Sequence, residues 1–156
     1  MKESIRRIVI LDNLRSGYNT GSIYRTACSF SFTDIIHVGT TPNTENASFK
    51  KASRGCEEYL LSDRFDCMKD ALKSLPDSIP LYALEICSRS IALSRVKIPP
   101  SFAVIVGNEA LGVSEYGLSA ADSVIEIETT GRKHSLNVAS SFAIFAFNAG
   151  RYINSD

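Results

Sequence analysis

Phe102–Val106 is an unbroken apolar run, too short for an independent helix and without a polar face. A strand of this kind must be covered on both sides, which calls for a sheet between two layers of helices. The rest of the chain repeats the theme. Ile8–Leu11, Ile35–Val38, Leu81–Leu84, Ser101–Val106 and Ser123–Ile127 read as strands, with a shorter one near Glu58–Leu61. Helical segments lie between and beyond them. One opens near Asn19, a suitable N-cap, and closes before Thr33. Others cover Ala47–Ser53, Asp63–Leu75 and Leu136–Ala149, the last with Gly150 as its cap. Strands alternating with helices predict an α/β doubly wound parallel sheet. In such sheets ligands bind beyond the carboxyl ends of the strands. The loops after Leu11, Leu84, Val106 and Ile127 are therefore where function is expected.

The 156 residues fit one domain, 1–156, with no linker, repeat or low-complexity tract to divide them. An apolar content of 44% and a charged content of 22% exclude disorder, collagen and coiled coil. The longest apolar runs fall well short of the ~20 residues of a membrane span. No signal-peptide stretch follows Met1–Arg7, so a cytoplasmic protein is expected. Net charge is zero, yet residues 1–56 carry 8 Lys/Arg against 4 Asp/Glu, an imbalance compatible with a polyanionic partner. Cys28, Cys56, Cys67 and Cys87 form no C-x-x-C pair, and His37 and His134 lie far from them. No metal site is expected, and the four thiols read as small buried apolar groups.

Several motifs fail on inspection. Gly107-Asn-Glu-Ala-Leu-Gly112 has phosphate-loop glycine spacing but continues Val113-Ser114, without the required lysine. Neither G-x-G-x-x-G after the first strand nor G-x-S-x-G is present. Three polar clusters remain, each at the end of a predicted strand. They are Asn13–Ala27, with Asn19, Gly21 and Arg25; Val104–Glu115, with Gly107, Asn108 and Glu109; and Ile125–Ala139, with Ser135 and Asn137. Arg25 offers a fixed fork of donors for phosphate, and Glu109 stands at the ligand edge. Taken singly, each has a plainer explanation: Asn19 and Ser135 capping helices, glycines making turns, Arg25 solvated. Their coincidence at one sheet edge favours a site.

The order and spacing of the three clusters resemble the SpoU/TrmH family of RNA ribose methyltransferases, of the SPOUT superfamily. The resemblance runs from Ile8 to about Tyr152 and includes Lys51-Ala-Ser-Arg-Gly55-Cys-Glu57. It implies a parallel α/β sheet with a deep C-terminal trefoil knot, a homodimer formed through the last helix and knot region, and S-adenosylmethionine as cofactor. The implied reaction is methyl transfer to a ribose 2′-hydroxyl of tRNA or rRNA. The implied cofactor-binding residues are Leu84, Glu85, Val106, Gly107, Asn108, Ile127, Ser135, Leu136 and Asn137, with Ile127 and Leu136 as apolar walls for adenine. The implied catalytic residues are Arg25, Asn19, Glu109, Ser135 and Asn137. Arg25 would accept the hydroxyl proton with help from a substrate phosphate. Alternatively, since a guanidinium keeps its proton at neutral pH, it would hold that phosphate and polarise the hydroxyl while phosphate or water accepts the proton. Arg15, Lys50, Lys51, Arg54, Arg132 and Lys133 are the expected RNA phosphate contacts. Many relatives carry a further RNA-binding domain, so substrate selection here is expected from this domain, its dimer partner or another protein. The alternative is a non-catalytic RNA-binding module, for which loss of Arg25 or Asn137 would be expected; both are present.

Overall fold

The structure, a computed structural model, describes residues 4–151; Met1 and Tyr152 lie outside them. In chain order the elements are β1 (Arg7–Asp12), α1 (Gly17–Ser29), β2 (Asp34–Val38), α2 (Ala47–Ser53), β3 (Leu61–Phe65), α3 (Met68–Lys73), β4 (Leu81–Leu84), β5 (Ile91–Ala92), β6 (Phe102–Gly107), α4 (Glu115–Ala120), β7 (Ser123–Glu126) and α5 (Val138–Gly150). Short 3₁₀ turns occupy Cys56–Tyr59 and Leu93–Arg95.

The strands form one sheet in the order β3-β2-β1-β6-β4-β7-β5. Every pairing is parallel. Alternate residues of the central strands feed two cores. Val9, Leu11, Val104 and Val106 pack with Tyr24, Phe49, Phe142 and Phe145 beneath α1, α2 and α5. Ile8, Ile10, Ala103 and Ile105 pack with Met68, Ala71 and Val113 beneath α3 and α4. This two-sided burial is why β1 and β6 are buried at every position and carry so few polar residues.

Several sequence expectations need correction. Ser16, not Asn19, caps α1: its hydroxyl accepts from the Asn19 amide at 3.1 Å. Asn19 sits in the first turn, and its side chain is engaged elsewhere. The strand near Glu58–Leu61 begins later, at Leu61, and extends over residues assigned to a helix opening at Asp63. The Leu61 amide bonds to the Thr33 carbonyl and starts a ladder with β2. As an edge strand β3 is exposed over Leu61–Arg64, so its polar sequence gave no core signal. The following helix shrinks to α3. Two elements were too short to register, β5 and α4. Ser135 does not cap the last helix; Asn137 does, accepting from the amides of Ala139 (2.9 Å) and Ser140 (3.2 Å). Helix α5 accordingly starts at Val138, and Gly150 is its final residue, not its cap. None of the four cysteines is fully buried, and Cys67 is exposed, because they fall on helix flanks and element ends.

Candidate active site

The close approach of strand ends and helices at the carboxyl edge depends on two glycines. A Cβ on Gly21 would lie 2.9 Å from both the Ala52 Cβ and the Ser53 amide, so α1 and α2 touch because residue 21 has no side chain. A Cβ on Gly107 would run into the Gly112–Val113 peptide, where the loop after β6 folds back through the Asn108–Gly112 bridge.

That folded loop presents Glu109 to the start of α1. Its carboxylate accepts from the amides of Arg15 (2.9 Å) and Ser16 (3.0 Å) and from Asn19 Nδ2 (3.0 Å). Partial burial works against its ionisation. The hydrogen bonds from Asn19, Arg15 and Ser16 outweigh that effect and hold the carboxyl below the ordinary range. Asn19 Oδ1 then accepts from Asn137 Nδ2 at 3.1 Å, and Asn137 Oδ1 caps α5. One continuous chain of hydrogen bonds thus runs from the N-terminus of α1 through Glu109, Asn19 and Asn137 to the N-terminus of α5. It joins one residue or more from each of the three sequence clusters. Asn108 adds a brace, donating to the Asn13 carbonyl at 2.7 Å.

Beside this chain lies a cavity of about 720 Å³ at the ends of β4, β6 and β7. Leu84, Glu85, Val106, Gly107, Asn108, Ile127, Ser135, Leu136 and Asn137 all line it, as does Glu109. Ile125, Cys87, Val113, Leu118 and Ser141 also contribute and were not singled out from the sequence; only their place behind the strand ends identifies them. Among the described residues, the lining includes three carboxylates, Glu85, Glu109 and Glu126, one imidazole, His134, and no lysine or arginine. Glu85 is fixed by the amides of Val113 and Ile86, both at 2.9 Å. A ligand with an apolar plane and one or more cationic centres fits such a lining.

Arg25 is elsewhere. It is exposed on α1 and lines a separate groove with Lys51 and Arg54. Six positions on from Asn19, it is displaced by ~9 Å along the helix and turned by ~120° to another face. Of the other residues expected to meet RNA, Arg15 and Lys50 are exposed near the N-terminal ends of α1 and in α2, and Arg132 and Lys133 are exposed on the loop leading to α5. Among the described residues, no cluster of three or more His, Cys, Asp or Glu could hold a metal ion. No helix there is long and apolar enough to cross a membrane.

Comparison with known proteins gives a consistent outcome. Residues 6–147 match the model of the SpoU rRNA Methylase family. An uncharacterized tRNA/rRNA methyltransferase of Borreliella burgdorferi is 29% identical over 149 residues, covering 94% of this chain and 64% of that protein. The tRNA (guanosine(18)-2′-O)-methyltransferase of Thermus thermophilus is 27% identical over 144 residues, covering 92% of this chain and 73% of its own length. The crystal structure of an AdoMet-bound rRNA methyltransferase from Sinorhizobium meliloti superimposes with a TM-score of 0.88 at 25% identity, covering 96% of this chain and 57% of the other. The chain thus spans 64% of the length of the Borreliella relative and less of several others.

Proposed function

The chain belongs to the SpoU rRNA Methylase family, and from that premise we propose that it transfers the methyl group of S-adenosylmethionine to a ribose 2′-hydroxyl of tRNA or rRNA. The observation that carries this reading is the junction of the carboxylate-lined cavity with the Glu109–Asn19–Asn137 chain. S-adenosylmethionine supplies an electrophilic methyl on a cationic sulfur when bound. Its sulfonium and ammonium charges suit the carboxylates, while Leu84, Val106, Ile127 and Leu136 provide apolar contact for adenine.

The protein's own work is alignment and proton handling, since a neutral hydroxyl is a poor nucleophile. Asn137 and Asn19 fix the two loops that flank the cavity, and Glu109 locks the start of α1 to the loop after β6. Ser135 lines the same wall and orients polar atoms there. Arg25 holds a substrate phosphate and polarises the hydroxyl, with its proton leaving to phosphate or water.

Arg25 faces away from its own cavity, and we read the working unit as a homodimer in which it serves the cavity of the partner copy. The exposed apolar residues Ile144 and Phe147 on α5 support that reading. The Phe147 ring meets Phe30 edge-on at 6.3 Å, and Phe30 lines the groove that holds Arg25. The segment between β7 and α5, which wraps the cavity, is where the trefoil knot would lie. This reading assigns the reaction to the cytoplasm.

The test is transfer of labelled methyl to separated, unmodified tRNA and rRNA fractions, beside an Arg25→Ala protein. Ribose methylation in one fraction, lost in the variant, is expected. Failure of the protein to bind S-adenosylmethionine would overturn the reading.

A further inference from the structure

The groove that holds Arg25 has a chemistry opposite to that of the cavity. It measures about 470 Å³ and runs between α1 and α2. Arg25, Lys51 and Arg54 line it, and no carboxylate among the described residues does. Ser22 and Thr26 also line it, and so does Tyr18, which is 59% exposed in the first turn of α1. Three cations converging on one groove suit a chain of phosphates, and an exposed aromatic ring beside them suits an unstacked base.

Arg54 adds an independent observation. It ends α2 with φ 56° and ψ 34°, in the left-handed region where glycine or asparagine is the favoured residue. Gly55, which follows, is left-handed as well at φ 85°, so the turn after α2 takes two successive residues in that region and the first of them is an arginine. An arginine held there has its side chain placed at the cost of backbone comfort, a pattern that accompanies binding sites.

Resting on the methyltransferase reading above, we propose that this groove seats a single-stranded stretch of the RNA substrate, with a base stacked on Tyr18 and the adjoining phosphates held by Arg25, Lys51 and Arg54. Tyr18 is then a specificity-determining residue that selects looped or unpaired RNA, since a base inside a duplex cannot present its face to the ring. Stacking accepts any base, so the groove selects strandedness and leaves sequence to other contacts.

Fluorescence anisotropy with a short labelled single-stranded oligoadenylate, and with the same strand in an RNA duplex, tests this without relying on catalysis. The single strand is expected to bind tighter than the duplex. Tyr18→Ala is expected to weaken single-strand binding by about tenfold, and Tyr18→Phe, which keeps the ring, to restore it. Lys51→Ala is expected to flatten the logarithmic salt dependence by about 0.7. Arg54→Gly relieves the backbone, so the protein is expected to be at least as stable to urea while losing affinity several-fold. Equal binding by Tyr18→Ala and wild type, or a preference for the duplex, overturns the proposal. So does a Tyr18→Ala protein whose only change is weaker self-association. Calorimetric titration with S-adenosylmethionine separates the two readings. Cofactor binding without single-strand binding rejects the groove alone, whereas single-strand binding without cofactor binding supports the groove and rejects the methyltransferase reading.

Discussion

Asn137 Nδ2 donates to Asn19 Oδ1 at 3.1 Å across 118 residues of sequence, while Asn137 Oδ1 caps α5. One amide thereby performs two tasks that substitution can separate. Aspartate keeps the cap and loses the donor. Asn137→Asp is expected to abolish most methyl transfer while remaining ~1 kcal/mol more stable than Asn137→Ala, which loses the cap as well. Urea unfolding and initial rates on the two variants check this. Equal stability of both would mean that the new carboxylate oxygen facing Asn19 Oδ1 offsets the cap.

Glu109 accepts three hydrogen bonds from N–H groups, and a glutamine in its place would turn one oxygen into a donor facing donors. Glu109→Gln is expected to reduce methyl transfer by about tenfold or more. Since the folded state holds this carboxyl below its ordinary value, it stabilises the protein above that range and the contribution fades as pH falls through the lowered value. Wild type should therefore be more stable to urea than Glu109→Gln above about pH 4.5, with the difference shrinking as pH falls below it.

His37 defines a second pH window. It is buried between Tyr24, whose hydroxyl meets Nε2 at 2.8 Å, and Arg64, whose Nη2 meets Nδ1 at 3.2 Å. Burial, then the charge of Arg64, push its pKa down to about 4 despite a hydrogen bond to the Pro42 backbone. The unfolded chain takes up a proton near pH 6.5 and the folded chain does not, so stability falls as pH drops from about 6.5 to about 4. The loss is on the order of 3 kcal/mol. In His37→Gln the urea midpoint should decline less steeply over that interval. An unchanged slope would mean the imidazole titrates normally.

Gly21→Ala inserts a methyl against Ala52 and Ser53 at the α1–α2 contact. We expect a destabilisation of ~1–3 kcal/mol, with a larger fall in RNA binding than in cofactor binding, because α2 carries Lys51 and Arg54. Thermal unfolding and the two binding titrations measure these effects. Equal losses in both would indicate general unfolding.

The dimer reading predicts complementation. Arg25→Ala and Asn137→Asp are each expected to be inactive, yet mixed protomers that exchange should recover about a quarter of wild-type activity. Half the dimers are then mixed, and each mixed dimer has one of its two sites intact. No recovery after demonstrated exchange would place Arg25 and Asn137 of one site on the same protomer.

The central strands were legible in the sequence because burial on both faces leaves an apolar run, as at Ile8–Leu11 and Phe102–Val106. Edge strand β3 was not, since Leu61–Arg64 are exposed and only pairing with β2 makes them a strand. Leu84, Glu85, Val106–Asn108, Ile127 and Ser135–Asn137 could be named in advance through the family resemblance, which fixes positions relative to strand ends, whereas Cys87, Leu118 and Ser141 could not. Three things could not be read. Asn19 looked like a cap because capping and long-range bonding use the same side-chain oxygen. The separation of Arg25 from the cavity follows from helix rotation. Tyr18 lies within the Asn13–Ala27 cluster, yet nothing in its pattern marks the ring until α2 brings Lys51 and Arg54 to the same groove.

The most direct test of the central claim is nucleoside mass spectrometry of unmodified tRNA and rRNA after incubation with S-adenosylmethionine and either wild type or Glu109→Gln. A 2′-O-methylated nucleoside is expected with wild type and little or none with the variant. A methyl group found on a base, or ribose methylation undiminished in Glu109→Gln, would contradict that claim.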